Sequence, residues 1–204
     1  LTGNPVRQDV VSLTGKREAA LHSFGLTYGK PVLLVTGGSL GARTINESIS
    51  IHLPELLKHK IQLIWQTGRL YYENALQQTK KMEAVYVSAF IDRMDYAYAA
   101  ADLVISRAGA IAVSEICAVQ KPAILIPSPN VAEDHQTKNA MALVNQHAAL
   151  LIKDSEAREQ LGQTIIELIF DEDKKHRLQE RLAGLSYRDA ADMIAGVALS
   201  IVKQ

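Results

Sequence analysis

The stretch Pro31-Val32-Leu33-Leu34-Val35-Thr36-Gly37-Gly38-Ser39-Leu40-Gly41-Ala42 joins an apolar run to a glycine-rich turn that opens a helical pattern. A short run that is apolar almost throughout reads as a strand covered on both faces. Glycine permits positive φ and a close ligand approach, where a Cβ would obstruct it. A helix start adds unpaired amides and the positive end of the helix dipole. Gly37, Gly38, Ser39 and Gly41 are therefore a candidate cradle for the phosphates of a nucleotide-type ligand. Ser39 could cap the helix or donate to a phosphate oxygen. A tight strand–helix turn that holds no ligand would use the same glycines.

The same alternation continues along the chain. Residues 61–66, 85–89, 103–106, 123–127 and 149–152 read as further strands. Helical patterns run over 41–58, 69–82, 93–100, 109–119 and 134–147, then over 155–169, 171–183 and 188–203. Six strand–helix units predict an α/β fold: a doubly wound, Rossmann-like parallel sheet of six strands with helices on both faces. With no internal repeat or linker, residues 1–204 are expected to form one domain, with an arm over 1–15 and a helical tail over 155–204.

Composition narrows the class. Lysine plus arginine equals aspartate plus glutamate at 22 each, so no overall charge favours nucleic acid, and no nucleic-acid partner is expected. The one cysteine, Cys117, cannot form an intrachain disulfide, which suits a reducing, cytoplasmic setting, and it should pack as a small apolar residue. Apolar stretches are too short to span a bilayer: Asp102 breaks one, and Asn145, Gln146 and His147 break another. The chain opens at Leu1 in loop-like sequence, which points to a longer parent.

The 37–42 turn lacks the Lys-Ser/Thr pair of a Walker A loop, because Ala42-Arg43 follows it. A dinucleotide fold would end its second strand on an acid for the ribose, but Trp65-Gln66-Thr67-Gly68 stands there. NAD is thereby disfavoured. A second slim helix start, Ser106-Arg107-Ala108-Gly109-Ala110-Ile111-Ala112-Val113-Ser114-Glu115, carries a carboxylate that could accept from two vicinal hydroxyls or merely support its helix. In strand order 3-2-1-4-5-6 these two turns flank one crevice at the switch point. A third segment, Glu133-Asp134-His135-Gln136-Thr137-Lys138-Asn139-Ala140, makes Asp134 a candidate N-cap. Gln136 and Asn139 there are i,i+3 neighbours able to face one hydroxyl-rich ligand, although a plain capped helix fits as well.

Together with Gly3-Asn4-Pro5-Val6-Arg7, these three motifs in this order resemble the C-terminal half of the MurG family, bacterial N-acetylglucosaminyltransferases of peptidoglycan synthesis. The likeness covers essentially the whole chain. It implies one half of a GT-B enzyme, the donor domain for UDP-N-acetylglucosamine. The acceptor, lipid I, would belong to an N-terminal domain with no counterpart in these residues, and the product would be lipid II. The resemblance also implies transfer with inversion and no covalent sugar–enzyme intermediate. Contact with the inner face of the cell membrane would come through that other domain.

Carried over by position, Arg7 and Ser39 would meet the diphosphate beside the amides of the 37–42 turn. Ile91 would offer backbone to the uracil, and Glu115 would hold the ribose. Ala110 and Ile111 would line the diphosphate and sugar, with His135, Gln136 and Asn139 facing the N-acetylglucosamine. Ala112 stands where relatives carry Thr, so a hydroxyl near the phosphates is absent. No catalytic base is evident, so this stretch alone should bind donor without turnover. No cofactor or metal is expected, the UDP-sugar being a substrate. Other readings are a different GT-B UDP-sugar enzyme, such as a diacylglycerol glycosyltransferase or an epimerase, or a non-catalytic nucleotide-binding module. His22, His52, His59, His147 and His176 read as surface residues, and Tyr71-Tyr72 and Lys80-Lys81 as a solvated helix face.

Overall fold

The computed structural model describes residues 3–187 and 190–202. Six strands, β1 (Val32–Thr36), β2 (Gln62–Gln66), β3 (Val85–Ser88), β4 (Leu103–Ser106), β5 (Ala123–Leu125) and β6 (Leu150–Leu151), form one sheet. Its order is β3-β2-β1-β4-β5-β6, with every neighbouring pair parallel. The expected doubly wound topology is borne out, with the switch point between β1 and β4.

Alternation along the strands places helices on both faces. Leu33, Val35, Leu63, Trp65, Leu103, Ile105 and Ile124 point to one side, under α3 (Arg43–Lys58), α4 (Arg69–Thr79) and α8 (Ala157–Phe170). Val32, Leu34, Ile64, Val104, Ala123 and Leu125 point to the other, under α2 (Arg17–Ser23), α5 (Met94–Ala100), α6 (Ala110–Val119) and α7 (His135–Val144). The central strands β1, β2, β4 and β5 are buried at every position, whereas β3 and β6 at the edges are only partly covered. Each large aliphatic side chain buried this way contributes roughly 1.5–3 kcal/mol, which makes the uniformly apolar runs the main source of fold stability.

Several expectations are corrected. The helix expected from residue 41 starts at Arg43, because Gly41 has φ +79° and Ala42 is extended. Ala42 therefore occupies the N-cap, with no side-chain bond, and Ser39 caps nothing. The stretch expected as an arm contains α1 (Gln8–Val11) and buries Val6 and Val10 in the core; α2 follows it. Helices of 4 and 7 residues are too short to show a periodic signature. The tail comprises α8, α9 (Glu172–Ala183) and α10 (Ala190–Val202). Residues 1–2, 188–189 and 203–204, included in the expected arm and tail, lie outside the described residues.

His52 and Tyr71 are half-buried and also pack against neighbouring elements. The His52 ring fills the space beside Gly162 of α8, and its Nε2 lies 2.9 Å from the Arg158 carbonyl oxygen. Tyr71 sits beside Trp65, with its hydroxyl 3.0 Å from Ser50 Oγ. Cys117 is buried as expected, and burial pushes its thiol up to about 11. Among the described residues no helix is long and apolar enough to cross a membrane.

Candidate functional site: a crevice at the switch point

The turns after β1 and β4 open onto a crevice of about 530 Å³, within the range of small-ligand sites. Gly37, Gly38 and Ser39 form one wall, and Arg107, Gly109, Ile111, Ala112 and Glu115 the other. Gly38 has φ +83° with open space beside it. Gly41 faces the opposite way: a Cβ there would stand 2.1 Å from the Thr67 carbonyl oxygen, so this glycine serves packing against the turn after β2. That carbonyl is held by Asn46 Nδ2 at 2.8 Å, and Asn46 Oδ1 accepts from the buried Trp65 indole at 2.9 Å.

Gln66 ends β2 where a dinucleotide fold would place its acid, and its buried amide reaches both neighbouring loops. Nε2 donates to Thr36 Oγ1 and to the Gly38 carbonyl, each at 3.1 Å, while Oε1 accepts from the Ile91 N–H at 2.9 Å. Ile91 borders the crevice with Phe90, Asp92 and Met94. A base meeting this backbone would use the Ile91 carbonyl or take the N–H from Gln66.

Glu115 lies on the second turn of α6, on the crevice wall. Tyr98 of α5, almost wholly buried, donates its hydroxyl to Glu115 Oε2 at 3.0 Å. Burial pushes the Glu115 carboxyl above its ordinary range, while the Tyr98 bond and the Arg7 charge pull it back. Burial and the neighbouring carboxylate push the Tyr98 phenol well above its usual value, so it remains a donor. The Gly3–Arg7 motif positions Arg7: Asn4 Nδ2 bonds Ser114 Oγ at 3.1 Å, and Val6 is buried, so the next side chain is delivered to the crevice. Arg7 stays largely exposed and pairs with Asp9 at 3.6 Å, a contact of little energetic weight.

The third segment behaves differently. Gln136 borders the crevice, but its Oε1 accepts from the Ala108 N–H at 3.3 Å and the Ser128 N–H at 2.9 Å. Asn139 Nδ2 donates to the Ala108 carbonyl at 3.1 Å. The two amides thus satisfy the polar backbone of the loops after β4 and β5, groups that cost free energy when buried unpaired. His135 is exposed; it, Asn139, Gly41 and Ala110 are not among the crevice-lining residues. Asp134 takes the expected N-cap position with φ +51°, yet its carboxylate accepts from Thr137 Oγ1 at 2.6 Å rather than from a backbone amide.

Arg107, part of the second motif, anchors the far wall. Its guanidinium donates to the Ile126 and Pro127 carbonyls at 3.0 and 3.1 Å and pairs with Asp154, which also accepts from Thr44 Oγ1 at 2.9 Å. Sequence reasoning missed Gln66, Tyr98 and this brace. The position of Gln66 at the carboxyl end of a strand beside the switch point was its one usable signal. A larger groove of about 870 Å³, bordered by His147, Lys174, Arg177 and Arg181, runs beside the edge strand β6, away from both glycine turns. No group of three His, Cys, Asp or Glu suited to a metal occurs among the described residues.

A doubly wound sheet with two glycine turns and a carboxylate converging at the switch point defines a Rossmann-like α/β protein with its ligand crevice at the strands' carboxyl ends. More particularly, residues 32–194 match the glycosyltransferase family 28 C-terminal domain, and the chain belongs to that family. It is similar, at 50% identity over 204 residues, to the UDP-N-acetylglucosamine--N-acetylmuramyl-(pentapeptide) pyrophosphoryl-undecaprenol N-acetylglucosamine transferase of Parabacteroides distasonis, covering 99% of this chain and 55% of that protein. The same-named protein of Flavobacterium psychrophilum is 47% identical, over 100% of this chain and 55% of its own length. The chain thus spans about half the length of these curated relatives. Acinetobacter baumannii MurG superposes with a TM-score of 0.76 at 27% identity, over 92% of this chain and 54% of that one. A UDP co-structure of S. aureus MnaA shares the fold, with a TM-score of 0.69 at 14% identity, over 96% of this chain and 52% of that one.

Proposed function

We propose that this chain is the donor-binding half of an inverting glycosyltransferase that moves N-acetylglucosamine from UDP-N-acetylglucosamine to lipid I, forming lipid II in the cytoplasm. The observation that carries this reading is the placement of Glu115 across the crevice from the glycine turn after β1, in a chain about half identical to transferases of that name. The turn amides and Arg7 would meet the diphosphate, Glu115 the ribose hydroxyls, the Ile91 backbone the base, and Ile111 with Gln136 the sugar side.

In the transfer, an acceptor hydroxyl attacks the anomeric carbon as the bond to the UDP oxygen breaks. Negative charge then grows on the leaving diphosphate, and donors already in place around it stabilise that charge without reorganising. The hydroxyl proton passes to a base contributed by the other half of the enzyme, which also holds the lipid acceptor and touches the inner membrane face.

Calorimetry on the chain with UDP, UDP-N-acetylglucosamine, UDP-glucose and NAD tests the reading. UDP and its N-acetylglucosamine conjugate are expected to bind, and preference for NAD would overturn the proposal. Preference for UDP-glucose would favour a different UDP-sugar enzyme. Gly109→Ala gives a local test. Gly109 has an ordinary φ of −64°, and a Cβ there meets nothing within 4 Å, yet the residue borders the crevice. The melting temperature should therefore change little while UDP affinity falls. Unaltered affinity would mean that the ligand does not approach this wall.

A further inference from the structure

We propose that Gln66 is a positioning residue that locks the phosphate turn and the base loop into one unit, so that a nucleoside diphosphate is recognised across both at once. This rests on the donor-site reading above. Gln66 is only 4% exposed and has one planar amide to offer. Its NH2 faces two acceptors on the β1 side, Thr36 Oγ1 and the Gly38 carbonyl, and its oxygen faces one donor on the β3 side, the Ile91 N–H. Thr36 Oγ1 in turn accepts from the Gly38 N–H at 3.2 Å, which extends the brace into the turn itself.

Only an amide serves both sides. A carboxylate at residue 66 could still accept from Ile91 but would set a charged oxygen against the Gly38 carbonyl, and a thioether could serve neither loop. Buried polar groups deprived of partners drive local rearrangement, because each loses its hydrogen bonds to water and gains none in return. The side chain that would meet the ribose in a dinucleotide fold is here turned inward to hold two loops. The ribose is left to Glu115 on the opposite wall.

The test uses the isotopically labelled chain in three forms, wild type, Gln66→Met and Gln66→Glu, titrated with uridine and with UDP. In the ligand-free protein, the amide resonances of both Gly38 and Ile91 should move in Gln66→Met, with faster hydrogen exchange at Ile91. UDP affinity should fall about tenfold or more, and uridine affinity by a smaller factor, because uridine meets only one of the two displaced loops. Gln66→Glu keeps the acceptor for Ile91, so it should preserve uridine binding better than UDP binding; it also carries the test if the methionine variant fails to fold.

Equal losses for uridine and UDP, or a loss confined to UDP in Gln66→Met, would reduce Gln66 to a brace for one loop and overturn the coupling. Unchanged affinities in a folded variant would overturn it altogether. If the wild-type chain binds neither ligand, the donor-site reading itself fails, an outcome distinct from failure at Gln66 alone.

Discussion

Replacing Gly41 by alanine is expected to destabilise the fold by about 2–4 kcal/mol, lowering the melting temperature by roughly 4–16 °C for a domain of this size. Two effects add. The residue has φ +79°, a left-handed conformation that a Cβ disfavours by about 1 kcal/mol or more. The new methyl would also stand 2.1 Å from the Thr67 carbonyl oxygen, and that carbonyl cannot simply retreat. Asn46 holds it, and the buried Trp65 indole holds Asn46. Gly38→Ala is the control: it has a similar φ of +83° but open space around the Cβ, so only the backbone strain should register. Scanning calorimetry of the two variants checks this. Equal melting temperatures would show that the close approach of the two turns does not restrain residue 41.

The second large effect concerns Glu115. Glu115→Ala should weaken UDP-N-acetylglucosamine binding by about 1–3 kcal/mol, roughly 5- to 150-fold in Kd, the range for losing a charged hydrogen-bond partner. Its pH dependence has a definite sign. The ionised carboxylate is the form able to accept from both ribose hydroxyls, so affinity is lost as pH falls through the Glu115 pKa. Burial raises that pKa, and the loss should begin at a higher pH than for an ordinary glutamate near 4.3. Tyr98→Phe removes the bond that lowers the pKa and should move the midpoint higher still.

In the ligand-free protein the sign reverses. A carboxyl whose folded pKa is raised favours folding in its protonated form, a contribution fully present below the unfolded pKa and lost as pH rises through the folded one. Calorimetric titrations with UDP-N-acetylglucosamine over pH 4–8 measure the binding effect; the conjugate avoids the terminal phosphate of UDP, which titrates near 6. An Ala variant with wild-type affinity would leave Glu115 as a support for α6 and α5 only.

Much of this protein is legible in its sequence. Uniformly apolar runs such as 32–35 and 103–105 can be satisfied only between two layers, so the doubly wound sheet followed from local pattern. The glycines of the first turn and Gly109 of the second marked the two helix starts that flank the crevice. Spacing places Glu115 early in its helix, and the expected strand order puts that helix start beside the crevice; whether it meets a ligand or only supports the helix stays open in the sequence.

The tertiary structure decided which polar groups meet. Gln66 lies 30 residues from Thr36 and 25 from Ile91, and Tyr98 lies 17 from Glu115. Such pairings have no signature in spacing, since they depend on which strand ends become neighbours. The Gln136 Oε1 and Asn139 Nδ2, which the sequence could offer either to a sugar or to a plain capped helix, are engaged by the Ala108 backbone. Gly41, read as part of a phosphate cradle, packs against Thr67 instead. Periodicity and backbone sterics are local and can be read along the chain. The partner of a buried amide or hydroxyl is settled only when the elements are packed and every donor must find an acceptor.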